Sequence, residues 1–242
     1  ISNPLFIQYA EEVAKKYRIR YQETVRRGGS TNAGKISLTG NTVKNTKSQG
    51  IYVAKGTVTL KDNKVSGTKD KGFKAAGGKV YFVDGNAKML LSGKKLIVQG
   101  AADSKSKSIN IPAKVTVGNI SFDVTSIQDG AFKGNSKITD VTAGSGLKKI
   151  GNSAFEKCSK LKSVNVSSTK LNSIGKKAFY NCKLLTTVTL KTTKLTKSNV
   201  GADAFAKTNA KCTFKVPKNK VSAYKKIFKS KGAAAKIKVV KN

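Results

Sequence analysis

Residues 150–166 read Ile-Gly-Asn-Ser-Ala-Phe-Glu-Lys-Cys-Ser-Lys-Leu-Lys-Ser-Val-Asn-Val and contain one complete copy of a motif that recurs along the chain. In each of four copies, an aliphatic residue is followed four residues later by Ala-Phe. A period in the low twenties with fixed apolar positions predicts a solenoid, in which stacked repeats bury a core that no single repeat can bury. The paired aliphatic and aromatic positions of this predicted core are Ile127 and Phe132, Ile150 and Phe155, Ile174 and Phe179, and Val200 and Phe205.

Each copy divides into a turn and a strand. Residues 153–159 are too few for a free helix, so they are expected to make one helical or 3₁₀ turn. The alternation that ends Leu161-Lys-Ser-Val-Asn-Val166 is typical of a short strand. Phe155 and its counterparts are expected to fill the space between the strand and the turn.

The third copy presents the pattern in full, with Leu, Ile-Gly, Ala-Phe, Cys, Leu and Val at fixed spacing. These residues are Leu171, Ile174, Gly175, Ala178, Phe179, Cys182, Leu185 and Val188. The pattern resembles the BspA-type leucine-rich repeat. The resemblance implies a secreted or cell-surface bacterial protein with an adhesive or scaffolding role, and a repeat without catalytic residues. The fourth copy departs from the pattern, because Val200 replaces Ile and no Leu-x2-Val follows Phe205.

A second repeat precedes the first. Gly34-Lys-Ile-Ser-Leu-Thr-Gly-Asn-Thr-Val43 aligns with Gly56-Thr-Val-Thr-Leu-Lys-Asp-Asn-Lys-Val65 at a constant offset. Each copy predicts three short strands, with Asn and Gly at corners where left-handed backbone is needed. The pattern resembles rungs of a right-handed parallel β-helix, which implies extracellular carbohydrate binding or polysaccharide cleavage. The acids inside these rungs, Asp62 and Asp70, are too few for the acidic cluster of a calcium-dependent lyase.

Residues 1–33 differ from the rest and contain all four arginines. Apolar residues near helical spacing predict an amphipathic helix over residues 4–17, followed by a strand over residues 19–25. Ala10-Glu-Glu-Val-Ala14, Tyr21-Gln22 and Arg27-Gly-Gly-Ser-Thr-Asn-Ala-Gly34 resemble a fragment of the two-metal, tetrahedral aminopeptidase-like family. The metal sites of that family require histidines and this chain has none, so no active-site residue is assigned. We interpret the segment as a cap on the solenoid.

The remaining segments complete a mainly β solenoid. Residues 78–126 predict several short strands that connect the rungs to the repeats. Residues 213–242 predict a strand, a helix that opens after Pro217 and a closing strand, and they are interpreted as a C-terminal cap. The predicted fold is therefore a set of short parallel β-helix rungs joined to a BspA-type leucine-rich repeat block, with N-terminal and C-terminal helices as caps. Its predicted segments are 1–33, 34–77, 78–126, 127–212 and 213–242.

Charge gives the main functional signal. The chain carries 48 Lys and Arg against 12 Asp and Glu, a net charge of +36, and a field of this size attracts polyanions. The expected partners are an anionic polysaccharide, a cell-wall polymer or a host surface protein. No specific nucleic acid is expected, because all but four basic residues are Lys, whereas Arg suits bidentate recognition. Since repeats place equivalent residues in rows, a polyanion-binding ribbon is predicted at Lys148, Lys149, Lys162, Lys170, Lys191 and Lys194.

Two other function classes stay open, namely a remnant or part of a carbohydrate-active β-helix enzyme and a non-specific nucleic-acid binder. The absence of His and the scatter of the acids argue against catalysis, so no catalytic residue, metal or cofactor is assigned. No run of 18 apolar residues predicts a membrane span. The chain starts at Ile1 without a signal peptide and is expected to be a monomeric fragment or processed form. An extracellular or cell-surface location is implied by the family resemblance.

Three cysteines complete the inventory. Cys158 and Cys182 occupy the same repeat position, and a strand spacing of roughly 4.8 Å would bring their sulfurs close together. That spacing permits either a disulfide or two buried thiols. Buried thiols are favoured, because free Cys is a common core residue. Cys212 has no predicted partner.

Overall fold

The computed structural model describes residues 21–23, 35–40, 42–44, 51–53, 56–62, 64–66, 73–75, 79–117 and 119–242. The chain divides into two compact units, one of residues 1–83 and 115–122 and the other of residues 84–114 and 123–242. The five segments predicted from the sequence stay a prediction. The predicted mainly β solenoid is confirmed: the described residues form many short strands and little helix.

The elements of the described residues have the following bounds. The first strands are β1 (Tyr21–Glu23), β2 (Lys35–Thr39), β3 (Thr42–Lys44), β4 (Ile51–Val53), β5 (Thr57–Lys61), β6 (Lys64–Ser66), β7 (Phe73–Ala75), β8 (Lys79–Asp84), β9 (Ala87–Ser92) and β10 (Lys95–Ala101). They are followed by β11 (Ser108–Ile111), β12 (Lys114–Val117), β13 (Ile120–Ile127), β14 (Asp140–Ala143), β15 (Lys149–Ile150), β16 (Ser163–Val166), β17 (Ser173–Ile174), β18 (Thr187–Leu190), β19 (Thr213–Val216) and β20 (Lys238–Lys241). A 3₁₀ helix (Lys218–Lys220) and α1 (Val221–Ser230) lie between β19 and β20.

In the first unit, the strands of one rung pair in parallel with the equivalent strands of the next. β2 pairs with β5, β3 with β6 and β4 with β7, so that Ile36 lies opposite Val58 and Ile51 opposite Phe73. This confirms the predicted three-strand rung and its register. β1 runs antiparallel to β2. The predicted helix over residues 4–17 lies outside the described residues, and so does most of the aminopeptidase-like stretch.

The same register continues past residue 77, where the sequence pattern predicts its end. β8 pairs in parallel with β5, and Val80 lies opposite Val58 just as Val58 lies opposite Ile36. The overlooked signal is Gly78, which follows Gly34 and Gly56 at equal intervals. Phe73, Phe82 and Phe122 pack against one another in this unit, with ring centroids 5.5 to 5.8 Å apart.

The second unit contains a six-stranded parallel sheet in the order β11-β14-β16-β18-β19-β20. From β11 to β19, the strands of this sheet alternate between buried and more exposed residues; β16 buries Val164 and Val166 and exposes Asn165. Phe214 in β19 lies opposite Val188 in β18. The sheet therefore passes through the fourth copy although that copy lacks Leu-x2-Val, because Phe214 supplies the buried side chain.

A second, shorter ladder runs through the aliphatic residues of the motif. Ile127 pairs with Ile150, Ile150 pairs with Ile174, and a single bridge joins Ile174 to Val200. All four side chains are buried. The glycine that follows the aliphatic residue is required by close approach of the layers: a Cβ on Gly175 would lie 2.5 Å from the backbone nitrogen of Asn152.

Each motif phenylalanine lies at the centre of a turn that stacks on the next copy. The N–H of Phe155 donates to the carbonyl of Ala178 at 2.8 Å, and Phe132 and Phe179 donate in the same way to Ala154 and Ala204. The predicted helical or 3₁₀ turn is wrong. Residues two positions before and after each phenylalanine have left-handed φ angles, which interrupt a helix. These residues are Gly130, Gly134, Ser153, Lys157, Lys177, Asn181, Asp203 and Lys207.

The C-terminal residues cover the last turn. α1 follows the 3₁₀ helix, close to the predicted start after Pro217, and buries Tyr224 and Phe228. The Phe228 ring packs on Phe205 and Phe214, with centroids 5.0 and 4.6 Å apart. Gly232, with φ of +90°, ends the helical region, and β20 then pairs with β19.

Candidate lysine-rich binding surface

All six lysines of the predicted ribbon are exposed. Lys148, Lys170, Lys191 and Lys194 lie in the connections that follow β14, β16 and β18. Lys149 opens β15 and lies 4.0 Å from the Asp129 carboxylate, whereas Lys162 precedes β16. The structure therefore brings four of the six lysines to equivalent connections of adjacent repeats.

Hydrogen bonds hold these connections on top of one another. The N–H of Asn172 donates to the carbonyl of Lys148 at 2.9 Å, and the N–H of Lys191 donates to that of Val166 at 3.3 Å. Two buried hydroxyl groups add to this ladder. Ser168 Oγ donates to the Leu147 carbonyl at 2.6 Å, and Thr192 Oγ1 donates to the Leu171 carbonyl at 2.5 Å.

The same two hydroxyl groups fix the positions of Lys170 and Lys194. The backbone N–H of Lys170 donates to Ser168 Oγ, and that of Lys194 donates to Thr192 Oγ1, both at 3.1 Å. The two lysines thus have equivalent positions in neighbouring layers. The other four lysines of the predicted ribbon are stacked differently. In the neighbouring layers, the residue that hydrogen-bonds or pairs with their backbone is Thr, Ser, Asn or Val. These lysines are Lys148, Lys149, Lys162 and Lys191.

Further lysines extend this side of the repeats. Lys197 lies in the connection after β18, and Lys218 follows β19. We call the exposed lysines of these connections the lysine edge. Its members are Lys148, Lys170, Lys191, Lys194, Lys197 and Lys218. Lys197 and Lys218 were not predicted from the sequence, although both follow a repeat strand, because their copy departs from the motif.

No Asp or Glu occurs in the connections of the lysine edge, residues 144–148, 167–172, 191–199 and 217–220. The acids of the repeats lie elsewhere, at Asp129, Asp140, Glu156 and Asp203. Hydrogen bonds from Ser163 and Thr139 lower the pKa of Asp140, and hydrogen bonds from Ser153 and Lys133 lower the pKa of Glu156. Both carboxylates therefore stay charged at neutral pH, with partners away from the lysine edge.

The cysteines form a second, buried row. Cys158 Sγ donates to the Phe132 carbonyl and Cys182 Sγ to the Phe155 carbonyl, each at 3.0 Å. The hydrogen bond with Cys158, together with burial, raises the pKa of Cys182. Burial raises the pKa of Cys212 to about 12. All three cysteines are free and buried, so the structure matches the favoured alternative of buried thiols.

Within the described residues, no three side chains of His, Cys, Asp or Glu converge on a point where they could hold a metal ion. Asp62, one of the two acids weighed for a lyase site, has a left-handed φ of +53° and is exposed, which is typical of a turn residue. None of the helices in the described ranges is long and apolar enough to cross a membrane.

Comparisons with known proteins point to a repeat family. The family model for the BspA type leucine rich repeat region matches residues 103–234 in six copies. Among solved structures, the chain is similar to a leucine-rich repeat protein from Bacteroides capillosus, at 26% identity and a TM-score of 0.48, over 56% of this chain and 97% of that chain.

Two further solved structures show similarity of the same kind. A leucine-rich repeat protein from Bacteroides ovatus is 22% identical with a TM-score of 0.46, over 66% of this chain and 41% of that chain. The leucine-rich repeat protein of T. pallidum is 18% identical with a TM-score of 0.42, over 55% of this chain and 62% of that chain. No curated protein matches the sequence.

Proposed function

The chain belongs to the BspA-type leucine-rich repeat family, and from this premise we propose that it is a non-catalytic binding module of the cell surface or the secreted fraction. Its ligands are anionic polymers, such as an acidic polysaccharide or a cell-wall polymer, and its binding surface is the lysine edge. This membership confirms the family resemblance that the sequence motif indicated. The repeat motif itself contains no set of catalytic residues.

One observation carries this proposal: stacked connections present lysines from successive layers, and no carboxylate lies among them. An isolated exposed ion pair contributes at most about 1 kcal/mol. A polymer with regularly spaced anionic groups contacts several layers at once, so the small contributions act together. Lys offers a compact point charge without the planar fork of Arg, which favours charge density over base or sequence recognition.

Binding of labelled heparin, compared with neutral dextran, tests the proposal at low salt and at physiological salt. Electrostatic attraction between exposed charges is screened over roughly 8 Å at physiological ionic strength. Heparin affinity is therefore expected to fall steeply as the salt concentration rises. Dextran is expected not to bind.

A charge-matched pair of variants localises the site. The triple substitution Lys170→Gln, Lys191→Gln and Lys194→Gln removes three contacts of about 0.5 kcal/mol each, so heparin binding is expected to weaken about tenfold. The control, Lys105→Gln, Lys107→Gln and Lys137→Gln, removes the same charge from exposed positions that precede β11 and β14, away from the lysine edge. If both triple variants lost the same heparin affinity, the lysine edge would not be the binding surface. If the wild-type protein did not bind heparin at low salt, the proposed function itself would be contradicted.

A further inference from the structure

Tyr180 is half-buried and has two lysine ammonium groups close to its ring. The Nζ atoms of Lys177 and Lys207 each lie 5.3 Å from the ring centroid. This distance is within the range of about 6 Å for a cation–π interaction. The three residues lie on the Phe-centred turns, whereas the lysine edge lies on the connections that follow the strands of the six-stranded sheet.

The backbone of the turns fixes this cluster. Lys177 begins the third turn and Lys207 ends the fourth, both with left-handed φ angles, of 54° and 57°. The carbonyl of Tyr180 accepts a hydrogen bond from Lys157, and Asn181 donates to Ala206. Tyr180 therefore has Ala206 as its equivalent in the fourth turn, one layer further along.

Small residues border Tyr180 on that side. A Cβ placed on Gly232 would lie 2.6 Å from the Ala206 Cβ, so Gly232 directly covers the next position along the row. Ala206 and Gly232 contribute almost no side chain, whereas Tyr180 projects a ring. The positions next to Tyr180 on that side therefore add little side-chain bulk.

The charges around Tyr180 favour an anion. Glu156 is the equivalent of Tyr180 in the preceding turn, but it is buried and pairs with Lys133 at 3.1 Å. Asp203 occupies the position equivalent to Lys177 in the next turn. In the described part of the chain, Lys133 pairs with Glu156 and Lys149 with Asp129, whereas neither Lys177 nor Lys207 pairs with a carboxylate.

We propose that Tyr180, Lys177 and Lys207 form a binding site for one acidic sugar residue of a polysaccharide. The proposal rests on the proposed function and deepens it. The apolar face of the sugar ring packs on the Tyr180 ring, and its sulfate or carboxylate groups pair with the two ammonium groups. The site goes beyond the lysine edge, because it reads the sugar ring as well as the charge. A bare polyanion supplies only the second of these contacts.

The arrangement favours a sugar over single-stranded nucleic acid. Nucleic-acid surfaces of this kind stack successive bases on several aromatic side chains along a groove. Among the Phe-centred turns, all of which lie in the described residues, Tyr180 is the sole aromatic residue that is not buried: the other three copies have Lys133, Glu156 and Ala206 at its position. A single ring between two lysines therefore matches one acidic sugar unit rather than a run of bases.

The test uses a heparin oligosaccharide, its desulfated counterpart and poly(vinyl sulfate), a sulfated polymer without sugar rings. Tyr180→Leu is expected to weaken binding of the oligosaccharide about tenfold, the effect of losing one stacked ring, and to leave poly(vinyl sulfate) binding unchanged. Tyr180→Phe keeps the ring and is expected to bind the oligosaccharide within about twofold of wild type. The desulfated oligosaccharide is expected to bind more weakly than the sulfated one. Thermal unfolding of each variant verifies that the fold is intact.

The double substitution Lys177→Gln and Lys207→Gln is expected to weaken binding of the oligosaccharide about tenfold, because it removes both ammonium groups of the site. The charge-matched control is Lys105→Gln with Lys107→Gln, expected to act less than about threefold. The site would be overturned if the two double variants lost the same oligosaccharide affinity. It would also be overturned if Tyr180→Leu weakened binding of poly(vinyl sulfate) as much as binding of the oligosaccharide. Neither outcome would contradict the lysine edge. Tighter binding of oligothymidine than of the oligosaccharide would overturn the assignment to a sugar, and wild-type protein that binds no polyanion would overturn both proposals.

Discussion

The Phe155 ring lies parallel to the Phe179 ring, with centroids 5.2 Å apart and an interplanar angle of 3°. Phe132 and Phe205 continue this stack on either side at 5.0 and 5.6 Å. The alanine before each phenylalanine is part of the same stacked arrangement. Ala154 and Ala178 are fully buried, and their carbonyls accept the N–H of the preceding layer's phenylalanine, so the Ala-Phe pair sets both the spacing and the filling of the layers.

Removing one ring from this stack should be costly. We expect Phe155→Ala or Phe179→Ala to lower the free energy of unfolding by about 3–5 kcal/mol, since the cavity lies inside a ladder that cannot close around it. Denaturant unfolding measures the change, and Tyr81→Ala in the other unit provides a half-buried aromatic comparison. A loss of less than about 0.5 kcal/mol at Phe155 would contradict the stacked core.

Gly175 should tolerate no side chain, although its φ angle is not left-handed. A Cβ there would lie 2.5 Å from the Asn152 nitrogen and 2.6 Å from the Gly151 carbonyl carbon, both of which are backbone atoms. We expect Gly175→Asn to destabilise the protein by about 1–3 kcal/mol through this overpacking. Gly134→Asn is the matched control, because Gly134 has open space around it and Asn181 already occupies the equivalent position with φ of 60°. Similar midpoints for the two variants would refute the close-approach explanation.

The hydrogen bonds of the buried Thr192 hydroxyl should contribute more to stability than the volume of the side chain. It donates to the Leu171 carbonyl and accepts the N–H of Lys194. We expect Thr192→Val to cost about 1–3 kcal/mol, because a methyl group leaves the Leu171 carbonyl and the Lys194 N–H without this partner. Thr192→Ser keeps the hydroxyl and should cost less, and the two unfolding curves separate hydrogen bonding from packing. A Val variant as stable as the Ser variant would argue against the ladder.

The thiol of Cys212 should make stability fall at alkaline pH. Its pKa rises from 9.0 to about 12 in the fold, so the unfolded chain loses this proton first. The stabilisation is complete below pH 9 and declines between pH 9 and 12 by up to about 1.4 kcal/mol per pH unit. We expect the stability difference between wild type and Cys212→Ala to shrink over that interval, since lysine titration affects both proteins equally. A constant difference from pH 8 to 11 would rule out this linkage.

Cys158 and Cys182 are expected to stay reduced and unreactive in the folded protein, because each donates to a phenylalanine carbonyl inside the core. Intact mass under non-reducing conditions, with alkylation before and after unfolding, checks this. Alkylation should label the thiols only after unfolding. A mass lower by two hydrogens, mapped to Cys158 and Cys182, would show that the disulfide alternative is correct.

Periodicity made most of the solenoid predictable from the sequence. The positions that recur, such as Ile150, Phe155 and Val164, are those that every layer must bury. In the first unit, the offset that aligns the two sequence copies is also the register of their paired strands. The prediction failed where different residues do the same work. Phe214 fills the position of Val188, and β8 continues the rungs after Gly78 without repeating the Asn-x-Val corner.

The candidate sites were harder to predict, because exposed positions are not constrained to repeat. Four ribbon lysines could be placed on one side from their distance to a strand, but Lys149 and Lys162 belong to other parts of the repeat. Tyr180, Lys177 and Lys207 share no motif position. They come together only because neighbouring turns stack, and their spacing along the sequence carries no period of its own.

The eight left-handed residues of the Phe-centred turns are glycine, serine, lysine, asparagine and aspartate, and six of them bond the next layer through backbone N–H groups alone. Side-chain identity at these positions is therefore decoupled from the architecture. Substitutions can therefore change the side chains of one turn without disturbing the backbone hydrogen bonds to its neighbours. Such turns are positions where related repeats can evolve to bind new ligands, and where new binding residues can be introduced by protein engineering.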